Sequence, residues 1–176
     1  MIGSTLFLFA LGSIYAETGT LNMADLVERV ALIDASETVG IRVAAILLLL
    51  VFAIKAALVP LHFWLPSSYA EAPAPVAALF AIMTKVGAYA IIRVYTMIFP
   101  PDVGVTSGLH DLWLLPAALV SLAIGMVGVL AARKMDRLVA FSIVGSMGMV
   151  ITAISLFSPA GIAAALYYIV HSTLAA

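Results

Sequence analysis

Between Pro75 and Pro100 the chain runs through residues 76–99 almost wholly in apolar side chains, yet it carries Lys85 and Arg93 there. About 20 consecutive apolar residues suffice to cross the roughly 30 Å hydrocarbon layer of a bilayer. Other runs of this kind follow one another through the 176 residues with short connections, and 65% of the chain is hydrophobic. Soluble domains hold about 45–50% apolar residues. The chain reads as a polytopic membrane protein with no room for a separate soluble domain, and the expected fold is all-α, a transmembrane helix bundle.

The runs predict a single transmembrane domain of six spans, at about 3–16, 39–65, 76–99, 112–132, 138–157 and 159–176. The first resembles a signal-peptide core, but no positive charge precedes it, so a transmembrane helix is the better reading. It starts abruptly and the last run is unfinished at Ala176, so a fragment of a longer polytopic protein is expected. Pro60 should break the second span and Pro66 end it, with a loop to Pro75. Pro73 and Pro75 should open the third and Pro100 and Pro101 stop it. Ser158 followed by Pro159 is an N-cap with proline at the first helical position.

The connections carry the charge. Glu17, Asp25, Glu28, Asp34 and Glu37 stand against Arg29 alone in 17–38, where Leu21, Leu26, Val30 and Ile33 recur at helical spacing and predict a short interfacial helix. The basic cluster Arg133, Lys134 and Arg137 should be cytoplasmic, which places the acidic connection outside. Ala117, Ser121 and Gly125 are spaced by four, and Ser142 with Ser146 repeats the spacing; such small residues read as helix-packing positions. With no cysteine, the chain can hold neither a disulfide nor a thiolate-bound metal or iron–sulfur cluster. Redox chemistry, if any, belongs to partners, and no nucleotide-binding motif is present.

Lys85 lies about nine residues into its helix, roughly 14 Å from the nearer end at 1.5 Å per residue, too deep for its stem to reach the interface. A central lysine costs about 2.5–3.5 kcal/mol to insert. Such a residue reads as functional, facing a hydrated interior, against the alternative of a structural ion pair. Lys55 lies five residues before Pro60, and proline cannot donate to the carbonyl four residues back, at Ala56; freed backbone beside a charge is how transporters build ion sites from discontinuous helices. A lysine in a low-dielectric site can be switched between protonation states by a neighbouring carboxylate or polarised water. His171, deep in the last run beside Tyr167, Tyr168, Ser172 and Thr173, can accept a proton on one nitrogen while donating from the other. His62, next to Trp64, is a relay or a structural residue. His110 should be solvated in its loop, Arg93 should snorkel outward, and Glu71 and Asp111 are loop carboxylates. Haem would need His62 and His171 as ligands, one near the interface and one deep, so no cofactor is expected.

The stretch KAALVPLHFWLPSSYAEAPAPVAALFAIMTKVGAYAIIRVY, 55–95, resembles the antiporter-like family shared by Mrp-type multisubunit sodium/proton antiporters, membrane-bound hydrogenases and respiratory complex I. The pattern K-x-x-x-x-PLH-x-WLP, then A-P, then K-x-x-x-Y-x-x-x-R carries the resemblance, the last through Lys85, Tyr89 and Arg93. PVAALFAIMTKVGAYAI and GSTLFLFALGSIYAETGTLNMADL are similar in particular to D subunits of the Mrp type. The resemblance implies the sixth to eleventh helices of a fourteen-helix subunit, with Lys55 the lysine of the broken seventh helix, Lys85 that of the eighth and His171 the histidine of the eleventh. Some complex I subunits carry a tenth-helix histidine where this chain has Ser146. The family's fifth-helix glutamate would precede Met1, and its twelfth-helix charge would follow Ala176.

It further implies a secondary transporter subunit, not an enzyme, that exchanges sodium or another monovalent cation for protons in a bacterial cytoplasmic membrane. Lys55, Lys85 and His171 would relay protons, and Pro60, His62, Tyr89 and Ser146 are secondary candidates. Its partners would be the other subunits of a hetero-oligomeric antiporter complex, the ions and the lipid bilayer, with no nucleic acid. The rival readings are a proton-pumping subunit of a quinone reductase or hydrogenase, and a structural anchor.

Overall fold

The computed structural model describes residues 2–33, 38–110 and 113–175. Asp34, Glu37, Asp111 and the start of the fourth run at Leu112 lie outside the described residues. Among those described, the chain is helical throughout with no strand: α1 Ile2–Thr18, α2 Met23–Ala31, α3 Thr38–Lys55, a 3-10 turn Leu61–Phe63, α4 Trp64–Glu71, α5 Ala74–Met97, α6 Leu114–Ala131, α7 Met135–Ser155 and α8 Pro159–Ala175. Four of them, α3, α5 from Pro75, α6 and α7, are long and apolar enough to cross a membrane.

Helix α1 packs on α3, α3 on α5, and α6 on α7, while α5 also touches α7 and α8. The short α2 buries Leu26 and Val30, two of the four apolar positions read from its periodicity. Its N-cap Asn22 accepts from the Ala24 N–H at 3.1 Å. Arg29 pairs with Asp25 at 3.1 Å and donates to the Thr18 carbonyl at 2.7 Å, tying α2 to the end of α1.

The end of α3 differs from the expectation placed on Pro60. The helix stops at Lys55, with Ala57 in the left-handed region at φ 54°. The Ala57 N–H donates to Ile54 O at 3.2 Å and the Leu58 N–H to Ala53 O at 2.9 Å, the bond pair of a Schellman cap. The helix has therefore ended before Pro60 can withhold a donor, and proline only prevents its resumption. Two side chains secure the break: Ser121 of α6 accepts from the Val59 N–H at 2.8 Å, and the Trp64 indole donates to Ile54 O at 3.0 Å. Pro66, expected to end a span, sits instead in the first turn of α4, where a missing N–H is tolerated.

The starts of α5 and α8 follow their prolines. Pro73 caps α5, with Pro75 in its first turn, and Ser158 Oγ accepts from the Gly161 N–H at 3.1 Å.

Glycines set the α6–α7 contact. A Cβ on Gly125 would strike the backbone of Gly145, one on Gly148 the backbone of Leu122, and one on Gly128 the ring of Phe141. Gly125 lies in this contact, and Ser121 is buried but turns to the Val59 N–H. Ser142 and Ser146 instead line a cavity beside Lys85 and His171.

Residues 98–110 fold over the start of α3. Arg42 of α3 donates to the carbonyls of Val105 at 3.1 Å and Ser107 at 3.4 Å. His110, expected in solvent, is only 1% exposed. Its ring lies 4.9 Å from that of Tyr95 and 4.8 Å from that of Phe157, because Tyr95 and Phe157 flank the turn that carries it.

Candidate functional site

Helix α5 runs unbroken through Lys85, and packing rather than backbone irregularity shapes that site. Thr84, Lys85 and Ala88 face inward and are buried. Lys85 is 6% exposed, and its Nζ donates to the carbonyl of Ser172 on α8 at 2.9 Å. An ammonium has three N–H donors, and this carbonyl takes one. Among the described residues the ion pair formed is Asp25 with Arg29, so Lys85 is not locked against a carboxylate.

Two cavities meet at Lys85. One, about 430 Å³, is lined by Lys85, Ser142, Ser146, Tyr168, His171 and Ser172. The structure thus brings Lys85, His171 and Ser146 around one space, although they lie on three helices. The second, about 690 Å³, opens toward the end of the bundle that carries the basic cluster, with Lys85, Tyr69, Asp136 and Thr173 in its wall. Val139 and Lys85 line both. His171 is exposed on α8 with the rings of Tyr167 at 6.4 Å and Tyr168 at 6.3 Å.

Lys55 stands apart. It is the last residue of α3, where the partial negative charge of the helix end favours a cation, and it is exposed. It borders a third cavity of about 380 Å³, otherwise lined mostly by apolar side chains of α1, α3 and α5 such as Phe7, Phe52 and Met83. The two lysines do not share a cavity. They are linked through Gly87, two residues after Lys85, where a Cβ would lie 2.8 Å from the Ala56 nitrogen and 3.1 Å from the Lys55 carbonyl carbon. Only a hydrogen at that position lets α5 rest on the break.

The remaining candidates are dispersed. Pro60 is exposed beside a separate apolar groove. His62 is half-buried, and its Nδ1 is buried without a hydrogen-bond partner among the described residues. Tyr89 is 49% exposed and lines neither cavity at Lys85. Arg93 is exposed. The reading of the sequence missed Gly87, Asp136 and the Ser172 carbonyl, whose roles arise from contacts between helices and leave no local pattern.

The geometry has counterparts. The model of the NADH:quinone oxidoreductase/Mrp antiporter transmembrane family matches residues 1–176. The chain is 42% identical over 175 residues to the D subunit of a Na+/H+ antiporter of Bacillus subtilis, covering 99% of this chain and 34% of that protein. It is 40% identical over 174 residues to the D subunit of a probable K+/H+ antiporter of Rhizobium meliloti, covering 99% of this chain and 32% of the relative. Among solved structures, the Mrp complex from Dietzia sp. matches at 32% identity and TM-score 0.83, over 98% of this chain and 30% of that one. The membrane-bound sulfane sulfur reductase, an archaeal respiratory membrane complex, matches at 30% identity and TM-score 0.84, over 97% of this chain and 34% of that one. The chain therefore spans about a third of the length of the proteins it matches. It belongs to the NADH:quinone oxidoreductase/Mrp antiporter family of membrane proteins.

Proposed function

We propose that this chain is the proton-translocating part of a D-type subunit in a multisubunit monovalent cation/proton antiporter of a bacterial cytoplasmic membrane. Protons pass through water among Lys85, Ser146 and His171, with Lys55 on the α3 side of Gly87. The observation that carries the reading is the burial of Lys85 without a carboxylate partner among the described residues, in the lining shared by two cavities. A charge held there costs several kcal/mol, and lysine in such a place is suited to gain and lose its proton. The cation is sodium or potassium, since the relatives are described as Na+/H+ and K+/H+ antiporter subunits. The test is exchange in everted vesicles holding the complete assembly with Lys85→Ala. Loss of cation-dependent proton movement supports the proposal, and exchange at the wild-type rate removes it.

The likeness to a respiratory membrane complex favours one second reading, in which electron transfer in partner subunits drives the same groups. Flanking genes decide between them: small hydrophobic antiporter subunits support the first, quinone-reductase or hydrogenase subunits the second.

A further inference from the structure

We propose that Asp136 is the proton-exchange group at the cytoplasmic mouth of this path, handing protons between cytoplasmic water and the Lys85 amine through the larger cavity. The inference deepens the proposed function and rests on it. Asp136 is the second residue of α7, exposed, and placed among Arg133, Lys134 and Arg137, the cluster that marks the cytoplasmic side. It is the one carboxylate among the described residues lining either cavity at Lys85. The cavity reaches from Tyr69 and Ala77, near the start of α5, to Lys85, eight residues and about 12 Å further along the helix. Its volume of about 690 Å³ far exceeds the ~30 Å³ that one water occupies in the liquid, so water can bridge the distance. Thr173 adds a hydroxyl to the wall one residue beyond the carbonyl that holds Nζ.

In the uptake direction the O–H bond of the Asp136 carboxylic acid breaks, the proton crosses by way of water, and the lone pair of the neutral Lys85 amine takes it to form the ammonium. Release is the reverse. No electrons change hands and no co-reactant is needed. Lys85 lines both cavities, so the lysine stands between Asp136 in the one and His171 with Ser146 in the other.

The experiment measures exchange per assembled complex in everted vesicles, whose cytoplasmic face meets the medium. Asp136→Asn should slow exchange at least roughly tenfold, a modest fraction of what a positioned proton-transfer group supplies. Asp136→Glu should keep near-normal rates, and formate or azide, small weak acids that can ferry protons, should restore Asp136→Asn but not Lys85→Ala. Wild-type exchange by Asp136→Asn with Lys85→Ala inactive would overturn the role of Asp136 and leave the proposed function standing. A slow Asp136→Asn rescued by neither glutamate nor weak acid would overturn it as well, marking a structural residue. An active Lys85→Ala would remove both.

Discussion

Lys55 and Lys85 look alike in the sequence, two lysines thirty residues apart in apolar surroundings, but the fold treats them in opposite ways. Lys55 ends a helix, exposed, where the partial negative charge of the helix end favours a cation. Lys85 sits inside a continuous helix, buried, and depends on its neighbours: one carbonyl from α8 and two cavities. A broken helix can make a charge tolerable by its own backbone, whereas an unbroken helix can do so only if water or partners from other helices reach it. The contrast makes Lys85 the more exacting site and Lys55 the more locally determined one.

The largest effect that sharpens this comparison is on transport. Lys85→Met should lower exchange by roughly 100-fold or more, the scale of a lost proton-transfer group. The assembly should nevertheless stay at least as stable to heat, because an apolar side chain of similar length replaces a buried charge. Lys55→Met should also impair exchange but cost about 0.3–1 kcal/mol of stability through the lost interaction with the helix end. A Lys85→Met complex that transports normally, or that melts lower than Lys55→Met, would break the contrast.

The next effect is on the join between the two regions. Gly87→Ala brings a methyl against the Ala56 and Lys55 backbone, which cannot swing aside as a side chain can. We expect a loss of about 1–3 kcal/mol, read as a lower melting temperature of the detergent-solubilised complex, with exchange impaired although both lysines are present. Unchanged stability would mean that α5 does not rest on the break. Ser121→Ala leaves the Val59 N–H of the break without its acceptor and should cost about 1–3 kcal/mol. Its effect should be greatest on hydrogen exchange of amides 56–59, with little change near Lys85.

The smallest effect lies outside the membrane spans. The hydrogen bond from Arg29 holds the Asp25 carboxyl below its usual range. A carboxylate lowered in the folded state contributes stability above its unfolded value and loses it as pH falls through the folded one. Docking of α2 should therefore weaken only in acid, and Asp25→Asn should abolish that pH dependence. Hydrogen exchange of the α2 amides against pH measures both.

Much of the architecture was legible in the sequence because bilayer thickness and proline chemistry act locally. The apolar runs gave the helices, Pro73 with Pro75 and Ser158 with Pro159 gave two helix starts, and the spacing of Leu26 and Val30 gave the buried face of α2. The end of α3 was not legible, since Ala57 adopts a conformation that sequence rules reserve for glycine, and the motif forms only with Ser121 and Trp64 in place. His110 reads as a loop residue until the loop is seen folded between Tyr95 and Phe157. Ser142 and Ser146 share the spacing of packing residues, but which face of α7 meets α6 is decided by Gly145 and Gly148. Of the candidate residues, Lys85 and His171 stood out by type and depth, and Ser146 only by its helix-packing spacing and the resemblance. Their meeting around one cavity, and the separation of Lys55 from it, are tertiary facts.

Everything turns on water reaching position 85. A single cysteine at that position can be probed, in a complete assembly whose other cysteines have been replaced, with a membrane-impermeant thiosulfonate added to the cytoplasmic face of everted vesicles. Cysteine in place of Lys85 should be modified readily, whereas cysteine in place of Leu79, exposed on α5 away from the cavities, should resist. A cysteine at 85 that stays unmodified while one replacing Asp136 reacts would show a dry site and contradict the account.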